Sequence, residues 1–135
     1  MTDDARYLDT IGTYLERFAT ERNLSLPPLG DDGTAQVQRG SAVVTIRVLA
    51  DRGVLLLLAR VAPAPEPSEA LWRRLLEASF LQTGDAAFAL HPKTGDVYLR
   101  ILRSLDGLDY EEFEDLVHTI ATVADEWDDK LKAPA

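Results

Sequence analysis

Residues 42–61 read AVVTIRVLADRGVLLLLARV, and the fold is decided here. Ala42–Ala50 (AVVTIRVLA) and Val54–Val61 (VLLLLARV) are β-branched and leucine-rich runs of strand length. Between them Asp51-Arg52-Gly53 is a turn-forming triplet, because glycine accepts left-handed backbone and aspartate can bond its own turn. The pair is predicted to be an antiparallel hairpin. In the second run Val54, Leu56 and Leu58 point to one face, while Leu55, Leu57, Ala59 and Val61 point to the other. Both faces are apolar. An antiparallel sheet commonly leaves one face to water, so a strand that is apolar on both sides needs a second cover. Either helices divide themselves over both faces, or a second subunit or bound client covers one of them.

Upstream, Tyr7, Leu8, Ile11, Tyr14, Leu15 and Phe18 recur at spacings of three and four, which marks one stripe of a helix over about residues 3 to 22. Asp3 or Asp4 can cap its start, and Asn23 suits a left-handed stop. The loop Leu26-Pro27-Pro28-Leu29-Gly30-Asp31-Asp32-Gly33 then leads into a weakly marked strand around Ala35–Gln38.

Downstream, Pro63, Pro65 and Pro67 form a stiff connector into a helix over about residues 68 to 81, with Leu71, Trp72, Leu75, Leu76 and Phe80 as its stripe. Ala86–His91 and Val97–Arg103 make a second hairpin around Pro92-Lys93-Thr94-Gly95-Asp96, whose early proline and late glycine fit a type I turn followed by a left-handed residue. A last helix over about 109 to 131 is announced by a capping box, Asp109 with Glu112, and a hydrophobic staple, Leu108 with Phe113. Its stripe is Tyr110, Phe113, Leu116, Val117, Ile120, Ala124, Trp127 and Leu131. The order is α-β-β-β-α-β-β-α: an α+β fold with a mainly antiparallel twisted sheet and packed helices, in one domain over residues 1–135.

Composition narrows the function. With 46% hydrophobic residues the chain is too apolar for intrinsic disorder, and no run of about 18 apolar residues is available to cross a bilayer. Zero cysteines exclude disulfides, thiolate metal sites and cysteine nucleophiles. The N-terminus lacks a basic region followed by an apolar one, so no secretory signal is read and a cytoplasmic setting is expected. A formal charge of −9 disfavours nucleic acid and anionic membrane surfaces as partners. The acids concentrate in Asp106–Asp129, a stretch without lysine or arginine that reads either as a solubilising face or as an attractive surface for a basic partner.

No catalytic constellation is visible. His91 precedes a turn proline and His118 falls beside the apolar stripe, so both read as exposed structural residues. A Glu114–His118 pair supplies two ligands at most, which is no metal site. Neither a P-loop nor a dinucleotide fingerprint occurs. The reading is a protein that is not an enzyme, with no catalytic residues, no metal and no cofactor.

One half of the chain has a family likeness. The segment Gly84–Arg100, GDAAFALHPKTGDVYLR, followed by Leu105-Asp106-Gly107-Leu108-Asp109 and a helix carrying Phe113 to Trp127, resembles the class I type III secretion chaperones, the family that includes the Tir chaperone. The likeness covers about residues 80 to 131 and rests on turn and packing signals. It implies a cytoplasmic bacterial homodimer that binds the N-terminal, non-globular segment of a secreted effector and keeps it export-competent. It also implies a dimer interface drawn from Leu71, Trp72, Leu75, Leu76, Tyr98 and Leu102. Client contacts would come from the first helix and first hairpin, including Leu8, Leu15, Val43, Leu49, Leu55 and Leu57. Two competing readings are a YbjN-like regulatory adaptor and an acidic inhibitor of a basic protein partner.

Overall fold

The computed structural model describes residues 3–132. Its elements follow the expected order: α1 (Asp3–Glu21), β1 (Thr34–Arg39), β2 (Ala42–Leu49), β3 (Val54–Ala62), α2 (Glu69–Leu81), β4 (Ala87–Leu90), β5 (Val97–Ser104) and α3 (Tyr110–Lys132). The turn between β2 and β3 is a short 3-10 segment, Ala50–Arg52, closed by Gly53 at φ 65°. Helix α1 ends as expected, with Asn23 left-handed at φ 55°. Its start differs, since the helix already includes Asp3 and Asp4; these residues occupy its first turn, and the capping position lies outside the described residues.

The five strands form one sheet in the order β1-β2-β3-β5-β4, with every neighbouring pair antiparallel. The leucine-rich β3 is therefore central and hydrogen-bonded on both sides. Strand alternation sorts its residues as the sequence predicted: Leu55, Leu57, Ala59 and Val61 are buried, while Val54, Leu56 and Leu58 occupy the opposite face. Helix α3 lies across β3, β2 and β5, and sets Phe113, Leu116, Val117, Ile120 and Trp127 against Val44, Ile46, Leu57 and Leu99. Helix α1 packs beside α3 on the same side, with Phe18 edge-on to Phe113 at 6.3 Å. The Tyr14 hydroxyl donates to the Leu108 carbonyl at 2.9 Å.

The capping box of α3 forms as predicted. Asp109 accepts from the Glu112 backbone N–H at 2.8 Å, and Glu112 accepts from the Asp109 N–H at 3.3 Å. Ser68 caps α2 by accepting from the Leu71 N–H at 3.1 Å. The proline connector is tied down by Asp96, which accepts from Arg60 and from the Ala64 N–H, both at 2.9 Å. The Arg60 guanidinium holds that carboxyl below the usual aspartate range, with the Ala64 N–H adding to the effect.

Helix α2 does not cover a sheet face. It runs beside the edge strand β4, where the Ser79 hydroxyl accepts from the Phe88 N–H at 2.9 Å and donates to the Leu75 carbonyl at 2.9 Å. One of the two expectations for the doubly apolar strand is thereby settled: the helices do not divide over both faces. With α1 and α3 on one side and α2 at an edge, the far face of the sheet carries no helix among the described residues.

Candidate protein-binding surfaces

Two apolar surfaces remain outside the core. The first is the outer sheet face, built by strand alternation from Val43 and Leu49 on β2, Val54, Leu56 and Leu58 on β3, and Tyr98 and Leu102 on β5. Their sheet neighbours half-bury Leu49, Val54, Leu56, Leu58 and Tyr98, while Val43 and Leu102 are exposed. The register sets Leu56 between Arg47 and Leu102, and Leu58 between Thr45 and Arg100.

The second surface is a ridge on α2. Leu76, Phe80 and Leu81 are 70%, 88% and 83% exposed, far beyond what a helix in water needs to show. Beside the ridge, Trp72, Leu75, Leu76, Phe88, Ala89 and Leu90 line an apolar hollow of about 260 Å³ between α2 and β4. The sequence stripe of α2 therefore splits. Leu75 faces the core, joined there by Ala78 from outside the stripe, and Leu71 packs against it, whereas Leu76 and Phe80 face outward. The exposed Leu81 and Leu90 escaped the sequence analysis altogether. The signal that could have found Leu81 is its place on the charged side of the helix, between Glu77 and Arg74, where a leucine has no core to reach.

Four residues expected at binding surfaces lie inside the fold. Leu15, Leu55 and Leu57, expected to touch a client, are 3%, 0% and 0% exposed, because they sit on the stripe and strand face that α3 covers. Leu75, expected at a dimer interface, is 4% exposed between α2 and the sheet edge. Of the remaining client set, Leu8 is half-buried and lines a groove between α1 and the Pro28–Asp31 loop, and Val43 and Leu49 lie on the outer sheet face. Of the remaining dimer set, Trp72 and Leu76 line the α2 hollow and Leu71 is half-buried against the core. Tyr98 pairs with Ala89 at the border of the two surfaces, and Leu102 belongs to the outer sheet. Trp127 is buried, as the sequence suggested, and meets Phe88 edge-on at 5.0 Å.

The polar groups are mostly committed to structure. His91 Nδ1 accepts from the Lys93 and Thr94 backbone N–H groups at 3.1 and 3.3 Å, fixing the β4–β5 turn. Tyr110 donates to Glu21 at 2.7 Å; burial, reinforced by that carboxylate, pushes its phenol up to about 12. The same bond lowers Glu21. Much of the acidity of α3 is likewise engaged: Glu112 with Arg103, Glu114 with Arg22, Asp125 with Ser41, Glu126 with Lys130 and Asp128 with Lys132. That pattern fits a solubilising, self-satisfied helix face. Among the described residues no three metal-ligating side chains stand together, and no helix is long and apolar enough to cross a membrane.

Comparison with known proteins gives one family and a consistent fold. The family described as "Tir chaperone protein (CesT) family" matches residues 13–128. A chain of the ExsC–ExsE complex is 28% identical, with a TM-score of 0.72 over 89% of this chain and 92% of that one. The HopA1–SchA chaperone–effector complex matches at 18% identity and TM-score 0.69, over 87% of this chain and 91% of that one. The Yersinia pestis type III secretion chaperone SycH, in complex with a YscM2 fragment, matches at 18% and 0.63, over 86% and 98%. Curated proteins give no match at a significant level.

Proposed function

The chain belongs to the Tir chaperone protein (CesT) family, and from that premise we propose that it is a non-catalytic chaperone for a secreted effector. It works as a homodimer in the bacterial cytoplasm, and holds the N-terminal, non-globular segment of its client soluble and export-competent. The observation that carries this reading is the pair of unpartnered apolar surfaces on a chain whose polar groups are largely tied into its own turns, caps and ion pairs. Surfaces of that kind suit protein partners, because burying apolar area is what drives association.

The two surfaces divide the work. The α2 ridge, with Leu76 and Phe80 flanking the hollow under Trp72, is the dimer face: a two-fold axis beside it would set each copy's ridge against the other's hollow. The outer sheet face and the Leu8 groove are the client face. An extended segment suits them, since it can lay alternate side chains across the sheet without having to bury a core of its own.

The experiment is a tagged pull-down from the native bacterium, with partners identified by mass spectrometry and the protected region mapped by limited proteolysis. Recovery of a secreted protein through a protected stretch near its N-terminus is the expected result. Recovery of folded cytoplasmic regulators alone would overturn the reading in favour of an adaptor.

A further inference from the structure

Deepening the chaperone reading and resting on it, we propose that the outer sheet face selects a client segment in which apolar side chains are flanked by carboxylates. The charge distribution carries this. A chain with 23 acids and 14 bases places no Asp or Glu on any of its five strands. The strands instead hold five arginines, of which three are occupied: Arg39 over Phe18, Arg60 with Asp96 and Arg103 with Glu112. Arg47 and Arg100 are exposed on the outer face and, among the described residues, neither has an ion-pair or ring partner. This open apolar face of an acidic protein is therefore locally basic.

Their positions are specific. Arg47 pairs with Leu56 on one row of the sheet, and Arg100 pairs with Leu58 on the next. The backbone positions of the two arginines thus sit at opposite corners of a two-leucine platform. Two strand spacings of about 4.8 Å across and a two-residue step of about 6.8 Å along put them roughly 12 Å apart. An extended segment advances about 13 Å in four residues, so carboxylates at i and i+4 reach both arginines while an apolar side chain at i+2 meets Leu56 and Leu58. Guanidinium favours this pairing because its planar fork matches a carboxylate and its weak hydration suits an apolar border.

Other occupants fit less well. A second copy set face to face would bring Arg47 and Arg100 onto strands that offer them no carboxylate. Nucleic acid is opposed by the charge of −9 on the whole chain. A basic segment would meet like charge at both corners of the platform.

The test titrates the isotope-labelled full chain, by NMR, with two nine-residue peptides in a Ser/Thr background. One carries two glutamates four positions apart with a leucine midway, and its twin replaces both glutamates by lysine. The expected result is shifts at Arg47, Leu56, Leu58 and Arg100 with the glutamate peptide, binding on the order of tenfold weaker for the lysine twin, and reversal of that preference in Arg47→Glu/Arg100→Glu. Equal binding of the twins, no shift with either, or a preference that survives the double substitution overturns the proposal. So does a double variant whose self-association differs from that of the parent chain, since a second copy would then be the occupant. If a secreted partner is recovered equally by parent and double variant, the chaperone function stands and this specificity falls. If no secreted partner is recovered but the peptide preference holds, the chaperone reading falls instead.

Discussion

Two neighbouring leucines, Leu56 and Leu57, should respond to the same truncation by very different amounts. Leu57 is 0% exposed on the central strand under α3, whereas Leu56 is half-buried on the face that carries no helix. Truncating a fully buried leucine removes its transfer free energy and leaves a cavity, so Leu57→Ala costs about 2 to 5 kcal/mol. At about 2.1 cal/mol/K of unfolding entropy per residue, 1 kcal/mol is worth roughly 3 to 4 °C in a chain of 135 residues. Leu57→Ala is then expected to lower Tm by about 7 to 18 °C. Leu56→Ala opens no cavity and should cost under about 1 kcal/mol, or roughly 3 °C. Glutamate sharpens the contrast. Leu57→Glu buries a charge without a partner and should abolish folding, while Leu56→Glu keeps its carboxylate in water beside Arg47. The assay is a set of circular-dichroism melts on purified chain without client, followed by client binding for each folded variant. A Leu56→Ala loss as large as that of Leu57→Ala would show the outer face to be packed, and would refute the assignment of faces on which the client site rests.

Further outcomes concern other parts of the molecule. If the proposed dimer forms through the exposed α2 ridge, Phe80→Asp is expected to leave the chain monomeric by sedimentation while moving the Tm of the monomer little; a dimer that persists would shift the interface elsewhere. Stability should fall as pH rises from about 10 to 12, because the unfolded chain loses the Tyr110 proton near its ordinary value of 10.0 while the folded chain keeps it until about 12. Denaturant titrations of Tyr110→Phe should show a shallower alkaline loss, with the remainder including Tyr14, which burial also raises. Asp109→Ala removes one arm of the α3 capping box and should cost about 1 kcal/mol in the same titrations.

Elements and their order were legible because local signals and tertiary packing agree in this chain. The Asp109–Glu112 box, Asn23 in the left-handed region and Gly95 at φ 76° all sit where turn and cap chemistry put them. Strand alternation in β3 also separated Leu55 and Leu57 from Leu56 and Leu58 correctly. What alternation could not supply was the sign of the choice, since both sets are leucines and only the position of α3 decides which is inside. The same degeneracy hid the interior placement of Leu15 and Leu75. Each belongs to an amphipathic stripe, and a stripe reads alike whether it faces a core or a partner. The ridge of Phe80 and Leu81 was obscured for a related reason: α2 flanks a strand edge instead of lying on a face, so only a narrow strip of it is covered.

The sheet has two unlike margins. At β4 the margin is a four-residue strand flanked by α2, and the Ser79 hydroxyl already occupies the Phe88 N–H. At β1 the six-residue strand has β2 on one side and, among the described residues, no further strand on the other, where Thr34 alone is engaged, its N–H donating to Asp32 and its carbonyl accepting from the Gly30 N–H. A ribbon with one obstructed border and one free border can be extended in a single direction only. Pairing two copies through β1 would consume both open borders at once, so strand pairing by itself stops at two chains.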